Sequence, residues 1–192
     1  MIKAAKLVAP VLLLASGSAI AQDALAPHVH GEARLQVVLD EQELVINLNS
    51  PAYNLLGFEH APQSAEEHAL VSKLDNRMRE PAFWIELPAA ARCSLSRVTL
   101  GQHVEQWGHG EPHDHQQGLA DHDHADAPSA HSEHRDLAYE YRFLCAYPEQ
   151  FEQARVKLFE HFPALTSLHA EVIGASQSLQ ELNAGNPMLR MP

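Results

Sequence analysis

The sequence predicts an α+β fold: an antiparallel β-sheet with two main helices packed on one face, plus a long disordered loop rich in His, Asp and Glu. Three observations carry that expectation. Apolar residues alternate with polar ones in several short runs, two further runs repeat at helical spacing, and all periodicity vanishes between residues 101 and 134.

Ala33, Leu35, Val37 and Leu39 alternate with Arg34, Gln36 and Val38, as a strand with one buried face does. Residues 40–43 form a polar turn, and Leu44, Ile46 and Leu48 continue as a second strand, so the two make a hairpin that Pro51 ends. Ser64 and Glu67 stand three apart as a capping box. Leu70, Val71, Leu74 and Met78 follow at helical spacing, and Pro81 stops that helix. Residues 83–87 and 93–100 read as strands, as does 137–146, where Leu137, Tyr139, Tyr141, Phe143 and Cys145 share a face. Pro148 opens a second helix with Phe151, Ala154, Leu158 and Phe162 as its core stripe, and 165–173 returns as a strand. Residues 176–192 have no decisive pattern. The order strand, strand, helix, strand recurs over 33–87 and 93–173, which suggests a duplicated β-β-α-β unit.

The first 21 residues have the form of a cleavable secretory leader. Lys3 and Lys6 precede an apolar stretch at 7–15, and Ala19-Ile20-Ala21 is a small-residue cleavage site. The stretch is much shorter than the ~20 residues of a spanning helix, so a protein not embedded in a membrane is expected. Residues 22–192 then form one domain delivered to the periplasm. Loss of Lys3 and Lys6 takes the formal charge from −12 to −14, which argues against nucleic acid or anionic lipid as a partner and favours cations. Cys93 and Cys145 are the only cysteines. An even count in an exported chain points to a disulfide; two buried free thiols and thiolate ligation of zinc are the alternatives, though no CxxC spacing supports the last.

Eight of the fourteen histidines lie between 101 and 134, where there is no Lys or Arg and seven carboxylates are interleaved. The pattern His113-Asp114-His115 recurs as His122-Asp123-His124. Neutral imidazole and carboxylate are the usual non-thiolate zinc ligands, and a tract of this composition reads as metal-binding. A merely solvated acidic loop and a pH sensor are the competing readings. Ordering a flexible loop costs conformational entropy, so His109, His113, His115, His122, His124 and His131 are expected to form weak, interchangeable Zn²⁺ sites.

A tight site needs ligands on rigid elements. His28 and His30, at i and i+2 before the first strand, can face the same way in extended chain. Glu59 and His60 lie between the hairpin and the first helix, and His134 and Asp136 lead into the strand that ends at Cys145. Only folding could bring these six together, and any three or four of them would satisfy a tetrahedral zinc. His68, His161 and His169 are expected to be surface or hydrogen-bonded packing residues. No GxSxG, HExxH, P-loop or Rossmann pattern is present, so no enzymatic activity is expected; a zinc hydrolase is the weaker reading.

These residues resemble the ZrgA-type zinc-regulated periplasmic family associated with bacterial zinc uptake. The resemblance is carried by His28-Val29-His30-Gly31-Glu32-Ala33, Ser50-Pro51-Ala52, Gly57-Phe58-Glu59-His60, Cys93-x-Leu95, a histidine-rich insert, His134 ahead of Tyr139-x-Tyr141-x-Phe143-x-Cys145, and Leu158-Phe159. It implies Zn²⁺ binding outside the cytoplasmic membrane, with His30, His60 and His134 at the ordered site. The expected function is capture of Zn²⁺ for an uptake system, with a membrane zinc transporter as partner. The alternative is a periplasmic buffer that sequesters excess zinc, nickel or copper.

Overall fold

The computed structural model describes residues 29–100 and 135–192. The expected leader, His28, His134, and His109, His113, His115, His122, His124 and His131 lie outside them.

The hairpin forms as expected. β1 (Glu32–Asp40) and β2 (Glu43–Pro51) pair from Arg34 opposite Asn49 to Asp40 opposite Glu43. The two-residue turn puts Glu41 at φ 50, the left-handed region that such tight hairpin turns require. Ala33, Leu35 and Val37 of β1 and Leu44, Ile46 and Leu48 of β2 point to one face and are buried. Each such aliphatic side chain contributes about 1.5–3 kcal/mol by leaving water.

Pro51 closes β2 and caps a short helix, α1 (Ala52–Leu56), which Gly57 terminates at φ 86 with its N–H donating to Tyr53 O. α2 (Ala65–Met78) has the predicted capping box: Ser64 Oγ accepts from Glu67 N at 3.1 Å, and Glu67 Oε2 accepts from Ser64 N at 3.1 Å. After it come a 3₁₀ turn at Pro81–Phe83, the two-residue β3 (Ile85–Glu86), β4 (Cys93–Leu100) and β5 (Asp136–Cys145). β6 (Gln153–Val156), α3 (Leu158–His161), β7 (Ser167–Ile173), β8 (Gln177–Leu182) and β9 (Met188–Arg190) complete the order.

The main sheet runs β4-β5-β2-β1-β7-β8, and β3-β6-β9 form a small second sheet. Trp84 and Ile85 beside β6, Ala154 and Val156 of β6, and Leu189 of β9 share one core with the inner face of the main sheet. Tyr141 of β5 donates to Met78 O at 2.7 Å, tying the end of α2 to the sheet. Burial pushes the Tyr141 phenol well above its usual value, so it remains a donor. Cys93 and Cys145 stand opposite each other on β4 and β5 and are joined by a disulfide.

Four expectations need correction. The second main helix does not form. Pro148–Gln150 is a 3₁₀ turn, Phe151 leaves helical space at ψ 79, and Ala154 and Val156 alternate as β6. The spacing of Phe151, Ala154, Leu158 and Phe162 suits a helix, but pairing of β6 with β3 and β9, both remote in sequence, overrides it. The strand expected over 83–87 shrinks to Ile85–Glu86, which among the described residues pairs with β6 alone. The sheet is mixed rather than antiparallel, since β1 and β7 run parallel with Glu32 opposite Ser167. The described residues do not show the β-β-α-β duplication: in the second segment their longest helix is α3.

Candidate metal centre

One end of the main sheet gathers the start of β1, the end of β2, the start of β5 and the start of β7. Glu32 stands opposite Ser167, and Pro51 opposite Asp136. α1 leaves the sheet at the same end, and its first N–H, that of Ala52, donates to Arg135 O at 2.8 Å. The described fixed-site candidates His30, Glu59, His60 and Asp136 are all carried by segments that meet here or by the loop after α1.

His30 is held by its neighbours. Gly31 sits at φ +86, and a Cβ built there would lie 2.8 Å from Thr166 Oγ1, so only glycine fits. Gly31 O accepts from Thr166 N, Ser167 N and Thr166 Oγ1 at 2.8, 2.9 and 3.0 Å. Asn54 of α1 locks the other side. It is 2 % exposed; its Oδ1 accepts from Gly31 N at 2.8 Å, and its Nδ2 donates to Glu32 O at 2.8 Å and to Ser50 Oγ at 3.2 Å. The ring of Tyr53, one residue earlier, stacks on His30 with centroids 4.5 Å apart and planes at 16°.

His30 Nε2 lies 2.8 Å from Glu59 Oε1, the ring 53 % exposed and the carboxylate only 12 %. A carboxylate accepts, so the hydrogen of the neutral ring sits on Nε2 and Nδ1 keeps its lone pair. His60 Nδ1 lies 2.9 Å from Ala61 O, which likewise can only accept. In the neutral ring the hydrogen is therefore on Nδ1, and Nε2 carries the lone pair, facing Glu67. Both rings thus have one nitrogen engaged by a carboxylate or a carbonyl, the arrangement that orients metal-ligating histidines. Phe58 stacks on His60 at 5.1 Å.

Glu67 extends the site toward α2. Its Oε2 accepts from Gln63 N at 2.7 Å as well as from Ser64 N, while Oε1 lies 3.7 Å from His60 Nε2. Those two backbone donors hold the Glu67 carboxyl below its usual pKa, and His60 lowers it further. On the outer face of the same end, His169 Nε2 lies 3.4 Å from Glu32 Oε2. His161 instead stacks on Phe83 at 4.1 Å, with Nε2 3.0 Å from Phe83 O.

Folding thus joins His30 to Glu59, across 29 residues, and His60 to Glu67. Among the described residues, no three His, Cys, Asp or Glu side chains converge at metal-binding geometry. Asp136 is part-buried at the head of β5. Sequence reasoning missed Tyr53, Asn54 and the second role of Glu67. The one available signal was Asn54 itself, a lone amide inside the apolar turn Ala52–Leu56.

A comparison with curated proteins returns no match. The family model described as "ZrgA family zinc uptake protein" matches residues 27–191. That span takes in every described element, the sheet end with His30, Glu59 and His60, and the histidine-rich stretch, and the chain belongs to the ZrgA family of zinc uptake proteins.

Proposed function

We propose that this chain captures Zn²⁺ in the periplasm and delivers it to an uptake system, without catalysing a reaction. The supporting observation is the paired tautomer control at one end of the sheet. Glu59 and the Ala61 carbonyl each engage one nitrogen of His30 and His60, leaving Nδ1 of His30 and Nε2 of His60 as neutral donors for a borderline cation. His28 and His134 are covalent neighbours of the described Val29 and Arg135, and one or two of His28, His134 and Asp136 supply the remaining ligands. The histidine-rich stretch gathers Zn²⁺ at weak sites and raises its concentration beside the tight one. Membership in a zinc uptake family and the Cys93–Cys145 disulfide, a bond favoured in oxidising compartments, support the reading. The recipient is a membrane zinc transporter.

Zinc titration of the full chain and of a chain lacking residues 104–131 tests this proposal. The full chain should bind several ions in two affinity classes, and the deletion should retain one tight ion. Loss of all binding on deletion would refute a fixed site. Imidazole must be unprotonated to ligate, so tight binding should weaken between pH 7.5 and pH 5.5; equal affinity at both would refute imidazole ligation. Induction by zinc starvation supports uptake, whereas induction only by zinc excess would assign the chain to buffering.

A further inference from the structure

The helices that frame the metal centre also frame a cleft on their other side. It encloses about 260 Å³ between α1, α2, the Pro81–Phe83 turn and α3. Its floor is apolar: Leu55, Leu74, Phe83 and Phe162. Leu70 on its wall is left 46 % exposed. Of the α2 residues that line the cleft, Leu74 is buried and Leu70 is the exposed apolar one.

The rim is basic. Lys73 and Arg77 lie one turn apart on α2, both exposed and both lining the cleft. Like charges at this spacing cost a helix a few tenths of a kcal/mol. Neither forms a salt bridge with a described residue; the Arg77 guanidinium rests over the Phe83 ring at 5.1 Å. In a chain of net charge −12, two adjacent cations above an apolar floor are out of keeping with the rest of the molecule.

We infer that this cleft docks an acidic segment with one apolar face, carried by a partner protein. Leucine or aromatic side chains would enter between Leu55, Leu70 and Phe162, as in helix-in-groove recognition. Carboxylates on the segment would meet Lys73 and Arg77, which selects against basic partners and speeds encounter. The cleft adjoins the metal centre through α1, whose Tyr53 stacks on His30 while Leu55 and Leu56 wall the cleft. A docked partner would therefore sit next to the ion. Only that purpose rests on the zinc reading; the docking itself is measured without metal.

The probe is a synthetic helical peptide of about five turns, with leucines along one face and glutamates elsewhere, carrying a fluorescent label. Its lysine-for-glutamate counterpart is the control. Anisotropy is read with chelator-treated full chain. The glutamate peptide should bind and the lysine peptide should not. Lys73→Glu with Arg77→Glu should weaken the glutamate peptide at least about tenfold, as should Leu70→Asp, with the circular dichroism spectrum and the zinc titre unchanged. Equal binding of both peptides, or indifference to these variants, would overturn the proposal. So would Leu70-dependent self-association in sedimentation, which assigns the cleft to a second copy. A more than tenfold gain in peptide affinity on deleting 104–131 would assign it to the chain's own acidic stretch and equally overturn a partner.

Discussion

The side chain of Asn54 holds the backbone of Gly31: the amide oxygen accepts the Gly31 N–H at 2.8 Å while the amide nitrogen donates to the next carbonyl, Glu32 O, at 2.8 Å. A buried amide on a five-residue helix thereby fixes the direction in which His30 leaves the sheet, and His30 in turn meets Glu59. Asn54→Ala would take the side-chain partner from the buried Gly31 N–H and the part-buried Glu32 C=O, costing about 1–3 kcal/mol. The account predicts that loss in urea unfolding and a 10–100-fold weaker tight zinc site. Full zinc affinity in a destabilised variant would separate the Asn54 contact from the metal centre.

Glu59 should act through His30 rather than through stability. Glu59→Gln keeps the shape but removes the charge that fixes the Nε2 hydrogen. A loss of about 10–100-fold in zinc affinity is expected, with little change in melting temperature. Competition against a chelating dye measures it; unchanged affinity would mean that the pair does not orient the ring.

Gly31→Ala tests the opposite coupling. The left-handed backbone alone costs a non-glycine residue roughly 1–2 kcal/mol, and the added Cβ would approach Thr166 Oγ1 at 2.8 Å. Melting temperature and tight zinc binding should both fall, since the strain can be relieved only by moving the start of β1. A variant with unaltered melting would contradict the positive φ at this position.

Acid should loosen α2 through Glu67. Its folded carboxyl titrates below the ordinary 4.5 because the Gln63 and Ser64 N–H groups bind the ionised form. The sign follows: stabilisation is present above pH 4.5 and is lost as pH falls through the lowered value. The stability gap between wild type and Glu67→Ala should be widest above that pH and narrow below it. A gap constant down to strong acid would remove Glu67 from the acid response.

The disulfide sits at the far end of β5 from Asp136. Nine steps along the strand, about 31 Å at full extension, separate it from the candidate metal centre. Cys93→Ser with Cys145→Ser should cost about 4 kcal/mol on the chain-entropy argument for a 52-residue separation. Zinc affinity, measured well below the melting temperature, should not change. Reduced affinity would show that the staple reaches the metal centre.

What was legible in the residues was local. The hairpin, the Ser64–Glu67 capping box and the alternation of β5 all follow from spacing within about ten residues. The Cys93–Cys145 bond was expected from an even cysteine count in a chain read as exported, and it forms between facing strands. What was illegible was long-range. Residues 153–156 became a strand because Ile85 and Leu189 lie beside them, and no local pattern announces those partners. β7 runs parallel to β1 for a similar reason, and this pairing brings Thr166 against Gly31. At the candidate metal centre, the histidines were visible as residue types; the buried Asn54 beside one of them was not.

Capture of Zn²⁺ as proposed requires that the neutral nitrogens of His30 and His60 hold one ion at the end of the sheet. A crystal of the chain lacking 104–131, loaded with zinc and measured across the zinc absorption edge, tests it most directly. The account predicts one strong anomalous peak about 2.0–2.1 Å from His30 Nδ1 and His60 Nε2, with Glu59 still on His30 Nε2. A peak elsewhere, with these two rings placed as they are without metal, would contradict it.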